Sequence, residues 1–208
     1  MAKTSESSID RLNLFFRAFR AKIFKPILVV FNVVGLTANH ITNFRFLGAI
    51  IFPFWFYYRP VSASIFIVII ILLDTVDGAL ARFQKKALDK GKFLDVFTDR
   101  IVHSSIIFIF LWLGAGVHLV AYQLIIMPVA YLLSSIKKGE SLPTDWIIQI
   151  YPGLSWVSLW PIIAFFALIW FKVDYLNESL WLSNILASIM SLYYFITIQI
   201  GWTSKKTQ

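Results

Sequence analysis

Six apolar stretches follow one another along the chain, and they constrain its fold more than any other feature. Each has the length of roughly 20 residues that an α-helix needs to cross the hydrocarbon core of a bilayer. Only 14% of the 208 residues are charged and 59% are hydrophobic, which leaves too little polar surface for a water-soluble protein. We therefore predict an all-α integral membrane protein, one domain over residues 1–208. The six predicted transmembrane helices are 41–58, 61–83, 91–114, 117–136, 150–171 and 179–202.

A segment at residues 8–26 precedes these spans and has a different pattern. Its apolar residues recur at three- and four-residue steps, and Arg and Lys residues lie between them. This pattern predicts an amphipathic helix in the membrane interface. A soluble helix packed on the protein body is the alternative. The apolar positions are Ile9, Leu12, Phe16, Phe19 and Ile23.

The basic residues predict the orientation. With Arg45 counted on the N-terminal side, 17 of the 19 Lys and Arg residues fall on one side of the membrane. Only Arg59 and Lys172 fall on the other. Cytoplasmic loops carry the excess of Lys and Arg, so we expect both termini and the active site in the cytoplasm, at the cell membrane if the organism is prokaryotic. The net charge of +8 is expected to face anionic lipid rather than nucleic acid.

Four aspartates mark the boundary between the second and third spans. Asp74 and Asp77 lie three residues apart near the end of an apolar span, so on a helix they share one face. Asp95 and Asp99 follow Gly91 at four-residue steps and share a face of the next helix. The connecting loop is short, so the helices are expected to be antiparallel neighbours. Four carboxylates therefore converge at one membrane–water boundary.

Clustered carboxylates repel one another unless cations lie between them. Ligation by oxygen alone, without His or Cys, suits Mg²⁺ or Mn²⁺ rather than zinc. Two such ions can hold a pyrophosphate and stabilise the charge of phosphoryl transfer. Structural ion pairs with Arg82, Lys92 and Arg100 are the alternative. His103, one turn beyond Asp99, either tunes that carboxylate or is a hydrogen-bonded helix histidine.

Small residues accompany the carboxylates. Gly78 leaves space where a ligand can approach the helix, and Ala81 keeps the same region small. Arg82 lies four residues beyond Gly78 and can reach across that space towards a phosphate. These three residues are therefore candidates for substrate binding, although a glycine in a helix more often serves packing.

Together these residues form a pattern that resembles a known family. The spacing Asp-x2-Asp-Gly-x2-Ala-Arg-x8-Gly-x3-Asp-x3-Asp is the motif of the CDP-alcohol phosphotransferases, and residues 74–99 match it in full. The segment from Leu36 to Thr42 is similar to the family's Leu-Thr-Pro-Asn-x-(Ile/Val)-Thr sequence before the first span. Ala38 replaces the usual Pro, which affects only the local backbone.

The resemblance implies a membrane homodimer that transfers a phosphatidyl-type group from a CDP-linked lipid to an alcohol and releases CMP. Two Mg²⁺ or Mn²⁺ ions would be bound, one by Asp74, Asp77 and Asp95 and the other by Asp74, Asp95 and Asp99. Asp99 would also accept the proton of the acceptor hydroxyl. Substrate contacts would come from Gly78, Ala81, Arg82, Gly91, Thr37 and Asn39.

The acceptor is open at this point. Lys137 and Lys138 end the fourth span on the side of the motif, where they either bind an acceptor phosphate or anchor the helix. Glycerol 3-phosphate and inositol phosphate are the favoured acceptors, and serine is an alternative. Two other functions use similar residues: a membrane prenyltransferase acting on a prenyl diphosphate with Mg²⁺, and a cation transporter. The first would need a second Asp motif, and the second would need acids deeper in the bilayer.

Overall fold

The computed structural model describes residues 23–84, 89–137 and 153–206, and the regular elements in these ranges are all α-helices. The predicted all-α class therefore holds for the part of the chain described. The helices, in chain order, are α1 (Ile23–Val33), α2 (Ala38–Tyr58), α3 (Pro60–Phe83), α4 (Asp89–Ile109), α5 (Val117–Lys137), α6 (Gly153–Phe171) and α7 (Leu176–Lys206).

Three of the described helices are long and apolar enough to cross a membrane by themselves. These segments are Pro60–Phe83, Val117–Ser134 and Leu176–Ile200. Helices α1 and α2 meet the same criterion together but are bent by 98°, so they add a fourth span only if the pair is one broken span. The protein is thus a helical membrane protein with three or four candidate spans by length and composition. The prediction of six transmembrane spans stays a prediction.

The end of α4 departs from the predicted third span. That span was expected to run to residue 114, but the helix ends at Ile109. The chain then tightens into turns, and Gly114 adopts a positive φ of 89°. Ala115 N donates to Phe110 O at 2.9 Å and Gly114 N donates to Leu111 O at 3.4 Å, the pattern of a Schellman motif. The segment after Ile109 is still apolar, although the helix has ended.

The chain before α2 also differs from the expectation. Of the predicted interfacial helix over 8–26, only residues 23–26 are described; they are helical, and α1 continues to Val33. A second Schellman motif ends α1, in which Gly35 has φ 76° and Leu36 N donates to Phe31 O at 2.8 Å. The glycine allows the reversal because it has no Cβ to clash in the left-handed region.

The residues divide into two compact units. Unit 1 contains Met1–Phe52 and Ile65–Val102, and unit 2 contains Pro53–Ser64 and His103–Gln208. In unit 1, apolar side chains of α1, α2 and α3 form one core cluster. The prediction of a single domain stays a prediction. The cluster consists of Leu28, Ile41, Val76, Ala79 and Leu80.

Unit 1 also contains a close approach between α2 and α3 at Gly48. A Cβ at this position would lie 2.7 Å from Ile70 Cδ1 and 3.0 Å from Phe66 Cζ. Real Cβ atoms do not approach other heavy atoms this closely, so the side chains of α3 occupy the space that the glycine leaves. The close approach brings polar residues of α2, one turn earlier, next to α3.

In unit 2, α7 packs against α5 and α6 through both apolar and polar contacts. Met127, Val157 and Ala187 form a buried cluster. Beside it, Gln123 Nε2 donates to Ser183 Oγ at 2.9 Å, and Ser183 Oγ donates to Val157 O at 3.0 Å. Buried polar groups in a helical membrane protein need such partners, because lipid supplies none.

Candidate metal and substrate site

The two helices that carry the motif bring its carboxylates together, as their spacing predicted. Asp74 and Asp77 lie on α3, and Asp95 and Asp99 lie on α4. Asp74, Asp95 and Asp99 are half-buried, whereas Asp77 is only 2% exposed. The site is therefore open to ligands on the side of three carboxylates and closed at the fourth.

The three half-buried carboxylates have the geometry of a cation site. One oxygen each from Asp74, Asp95 and Asp99 can be chosen so that all three lie within 4.8 Å of one another. Neighbouring ligand oxygens around Mg²⁺ lie about 3 Å apart at metal–oxygen distances of about 2.0–2.1 Å, so a small rotation of these side chains would suffice. The all-oxygen donor set fits a hard divalent cation.

Asp77 lies deeper than the other three carboxylates. Its Oδ2 accepts a hydrogen bond from Thr42 Oγ1 at 3.2 Å. Its Oδ1 is buried and has no hydrogen-bond partner among the described residues. Such an oxygen is costly to leave unsatisfied, and a cation would satisfy it. The assignment of Asp77 as a metal ligand stays a prediction.

The central group of the site is a residue that was not predicted to belong to it. Arg45 of α2 is 1% exposed, and its guanidinium lies among all four carboxylates. Its Nη1 contacts Asp77 Oδ2 at 2.6 Å and Asp95 Oδ1 at 2.8 Å. Its Nη2 contacts Asp74 Oδ1 at 2.8 Å and also donates to Asp99 Oδ1. The hypothesis of structural ion pairs did not include this counter-ion.

Arg45 had been counted with the basic residues on the N-terminal side and lies within the predicted first span of 41–58, but its contacts with the four carboxylates were not predicted. The residue lies inside α2, at the start of its apolar run, and a buried charge in such a helix requires an opposite charge. This requirement was the available signal in the sequence. With four acids and one base, the ionised site carries excess negative charge, which favours binding of further cations.

The small residues and Arg82 lie next to the carboxylates on α3. A Cβ at Gly78 would have the Arg82 guanidinium as its nearest group, at 3.5 Å. No other contact within 4 Å is found there in the described structure. Among the described residues Gly78 therefore makes no close packing contact with another helix, and its function in ligand access stays a prediction. Ala81 is half-buried, and Gly91 lies near the start of α4.

The other predicted site residues have the following positions. Thr37 immediately precedes α2, where its carbonyl accepts from His40 N at 3.0 Å, and Asn39 is exposed in the first turn of this helix. Lys137 is the last residue of α5, and Lys138 lies outside the described residues. His103 is buried on α4. The functions predicted for these residues stay predictions.

Comparison with known proteins finds relatives that match part of the chain. Fifty-two residues are 46% identical to the archaetidylinositol phosphate synthase of Aeropyrum pernix, covering 25% of this chain and 27% of that protein. Over 76 residues the chain is 37% identical to the protein of the same name from Pyrococcus horikoshii, covering 36% of this chain and 40% of that protein. The chain thus matches less than half the length of these relatives.

A family model covers much more of the chain than these local matches do. The model described as CDP-alcohol phosphatidyltransferase matches residues 35–199. This range includes α2 with Arg45, the four aspartates, helices α3 to α6 and most of α7. The resemblance inferred from the motif is therefore confirmed over most of the sequence, and the chain belongs to the CDP-alcohol phosphatidyltransferase family.

Proposed function

We propose that this protein transfers a phosphatidyl-type group from a CDP-linked lipid to an alcohol and releases CMP. The observation that carries the proposal is the convergence of oxygens from Asp74, Asp95 and Asp99 within 4.8 Å at the ends of two helices. A carboxylate cluster of this kind suits cations that hold a pyrophosphate. Because the chain belongs to this family, we propose a CDP-linked lipid as the donor substrate.

The proposed metal ligands are Asp74, Asp77, Asp95 and Asp99, with Mg²⁺ or Mn²⁺ as the ions. Two bound ions would neutralise the pyrophosphate of the donor and the charge that develops on its bridging oxygen. The protein side chains hold the donor in place. Arg82 is proposed to contact a donor phosphate, and Gly78 leaves room for the nucleotide. Four further residues are also proposed to line the nucleotide site: Ala81, Gly91, Thr37 and Asn39.

Asp99 is the proposed general base. It accepts the proton of the acceptor hydroxyl while that oxygen forms a bond to the lipid-side phosphorus of the donor. The bond between this phosphorus and the bridging oxygen breaks, and the electron pair leaves with CMP. Because CMP is a good leaving group, the reaction requires no general acid. Lipid-borne donors also account for this chemistry in a membrane protein.

For the acceptor we propose an inositol phosphate. Both relatives described above are named for a product that combines an archaetidyl group with inositol phosphate. Glycerol 3-phosphate is the second candidate, because it also carries a phosphate near the reacting hydroxyl. Lys137 and Lys138 are proposed to bind this phosphate, since a dianionic group beside a pyrophosphate needs additional positive charge.

We also propose the six-span topology with both termini cytoplasmic. Helices α2, α3, α4, α5, α6 and α7 correspond in order to the six apolar stretches. The unequal distribution of Lys and Arg supports the orientation, because removing Arg45 from the count still leaves 16 basic residues on one side. This orientation would give the active site access to cytoplasmic CDP-linked substrates.

An acceptor panel tests the proposed function. Purified protein in detergent would be given Mg²⁺, CDP-diacylglycerol or CDP-archaeol, and one of inositol phosphate, glycerol 3-phosphate or serine. We expect stoichiometric CMP and phospholipid with inositol phosphate. If product forms only with glycerol 3-phosphate, the proposed acceptor is wrong but the proposed reaction type stands. Absence of CMP with every pair, together with transfer from a prenyl diphosphate or cation uptake into vesicles, would favour the prenyltransferase or transporter alternative.

A further inference from the structure

The guanidinium of Arg45 lies where a cation of the carboxylate site would act. Its Nη1 bridges Asp77 and Asp95, and its Nη2 bridges Asp74 and Asp99. Each terminal nitrogen therefore joins one carboxylate of α3 to one of α4. In this arrangement a single fixed positive charge holds the two motif helices together.

The hydrogen bonds of the Arg45 side chain are all made by its terminal nitrogens among the described residues. Its Nε is buried and has no hydrogen-bond partner among the described residues. Movement of the guanidinium away from the carboxylates would therefore break only bonds to the carboxylates themselves. Thr42 Oγ1 lies 3.2 Å from Asp77 Oδ2, so this contact to Asp77 remains if Arg45 withdraws. The same hydroxyl also lies 3.1 Å from Ala38 O, its other possible acceptor.

Charge repulsion connects this geometry to metal binding. A divalent ion placed among Asp74, Asp95 and Asp99 would lie within a few ångströms of the guanidinium, which is itself almost fully buried, so the two positive charges would repel each other. The same three carboxylate groups contact Arg45 and are the available ligands. The guanidinium and the ion therefore compete for the same partners.

We propose that Arg45 is a positioning residue that holds the carboxylates together without metal and is displaced from them when divalent ions bind. It thereby keeps the four acids assembled at low metal concentration and lowers the affinity of the site for the ions. The inference rests on the proposed function only in taking the carboxylates as a divalent-cation site.

Mn²⁺ binding to the full-length protein in detergent provides the test, with free Mn²⁺ measured by electron paramagnetic resonance. Arg45→Gln should bind Mn²⁺ about tenfold or more tightly than the wild type, because one competing charge is gone. In chelator the variant should unfold at a lower temperature than the wild type, and Mn²⁺ should raise this temperature by more. Arg59→Gln, which removes an exposed arginine beyond the end of α2, is the matched control and should change neither property.

Each outcome decides a different point. Mn²⁺ binding by the wild type with equal or weaker binding by Arg45→Gln would overturn the competition and leave the proposed function standing. Absence of Mn²⁺ binding by the wild type would overturn both. A merely structural arginine would lower stability without tightening Mn²⁺ binding, so the affinity distinguishes the two functions of the residue.

A second measurement does not depend on the folding of Arg45→Gln. In wild-type protein with ¹⁵N-labelled arginine, the Arg45 side-chain signal would be assigned by its loss in Arg45→Lys. It should shift on addition of Mg²⁺, saturate together with metal binding and return with chelator. A signal that stays unchanged while Mg²⁺ binds would overturn the proposal.

Discussion

At the scale of single residues, Asp99 carries the most specific chemical assignment. Asp99→Asn should lower the transfer rate by about 10²–10⁴-fold, the usual contribution of general base catalysis. Donor binding should be largely retained, because three carboxylates remain. Steady-state CMP release and binding of a CDP-lipid would be measured together. Glu178→Gln, which removes an exposed acid in the first turn of α7, is the control; near-normal turnover of Asp99→Asn would contradict the assignment.

Gly78 has free space where a Cβ would lie, whereas a Cβ at Gly48 would overlap side chains of α3. Among the described residues, a methyl at Gly78 meets only the Arg82 guanidinium, so Gly78→Ala should keep or raise the free energy of unfolding, by up to about 1 kcal/mol. The same methyl fills the space assigned to the nucleotide. The donor KM should therefore rise about tenfold, which corresponds to about 1.4 kcal/mol of binding. An unchanged donor KM would show that the nucleotide binds elsewhere.

The sequence predicted the aspartates well and Arg45 poorly, for a physical reason. The positions of the aspartates follow from helical periodicity, which is local. An arginine near the end of an apolar stretch can extend towards the interface or turn inward to a counter-ion, and both are compatible with the sequence pattern. Only the packing of α2 on α3 distinguishes them, since it brings Arg45 next to Asp77.

At the scale of helices, the contact at Gly48 determines how closely α2 approaches α3. Gly48→Ala should destabilise the protein by about 1–3 kcal/mol, because the new Cβ overlaps Ile70 Cδ1. Ile70→Val removes that methyl group and should cost about 0.5–1.5 kcal/mol alone. In the double variant the two losses should be clearly less than additive. Unfolding in detergent would be followed for all four proteins, and strict additivity would contradict the contact.

The positions of the helices were largely predictable, and their ends were less so. Hydropathy located α2, α3 and α5 to within three residues at either end, since their apolar length is what the bilayer requires. It extended α4 beyond Ile109, because apolar side chains continue through a turn that Gly114 closes. It also did not predict the continuation of α1 to Val33, which depends on packing of Leu28 against α3.

At the scale of the whole molecule, the absence of cysteine in the sequence permits a direct test of orientation. Single cysteines would replace Lys86 and Lys172 and be treated with a membrane-impermeant thiol reagent. In right-side-out vesicles Lys172→Cys should react and Lys86→Cys should not; inverted vesicles should give the opposite result. The reverse pattern would contradict the cytoplasmic placement of the motif, and equal labelling would contradict the odd number of spans between the two positions.

The most direct test of the central claim is CMP release from the CDP-linked lipid as a function of divalent-cation concentration. The carboxylates of α3 and α4 can hold a pyrophosphate only when cations lie between them and the phosphates. We therefore predict that release by the wild type stops after exhaustive chelation and is restored by Mg²⁺ or Mn²⁺. Full CMP release in the chelated protein would contradict the assignment of this carboxylate cluster as the metal centre of the reaction.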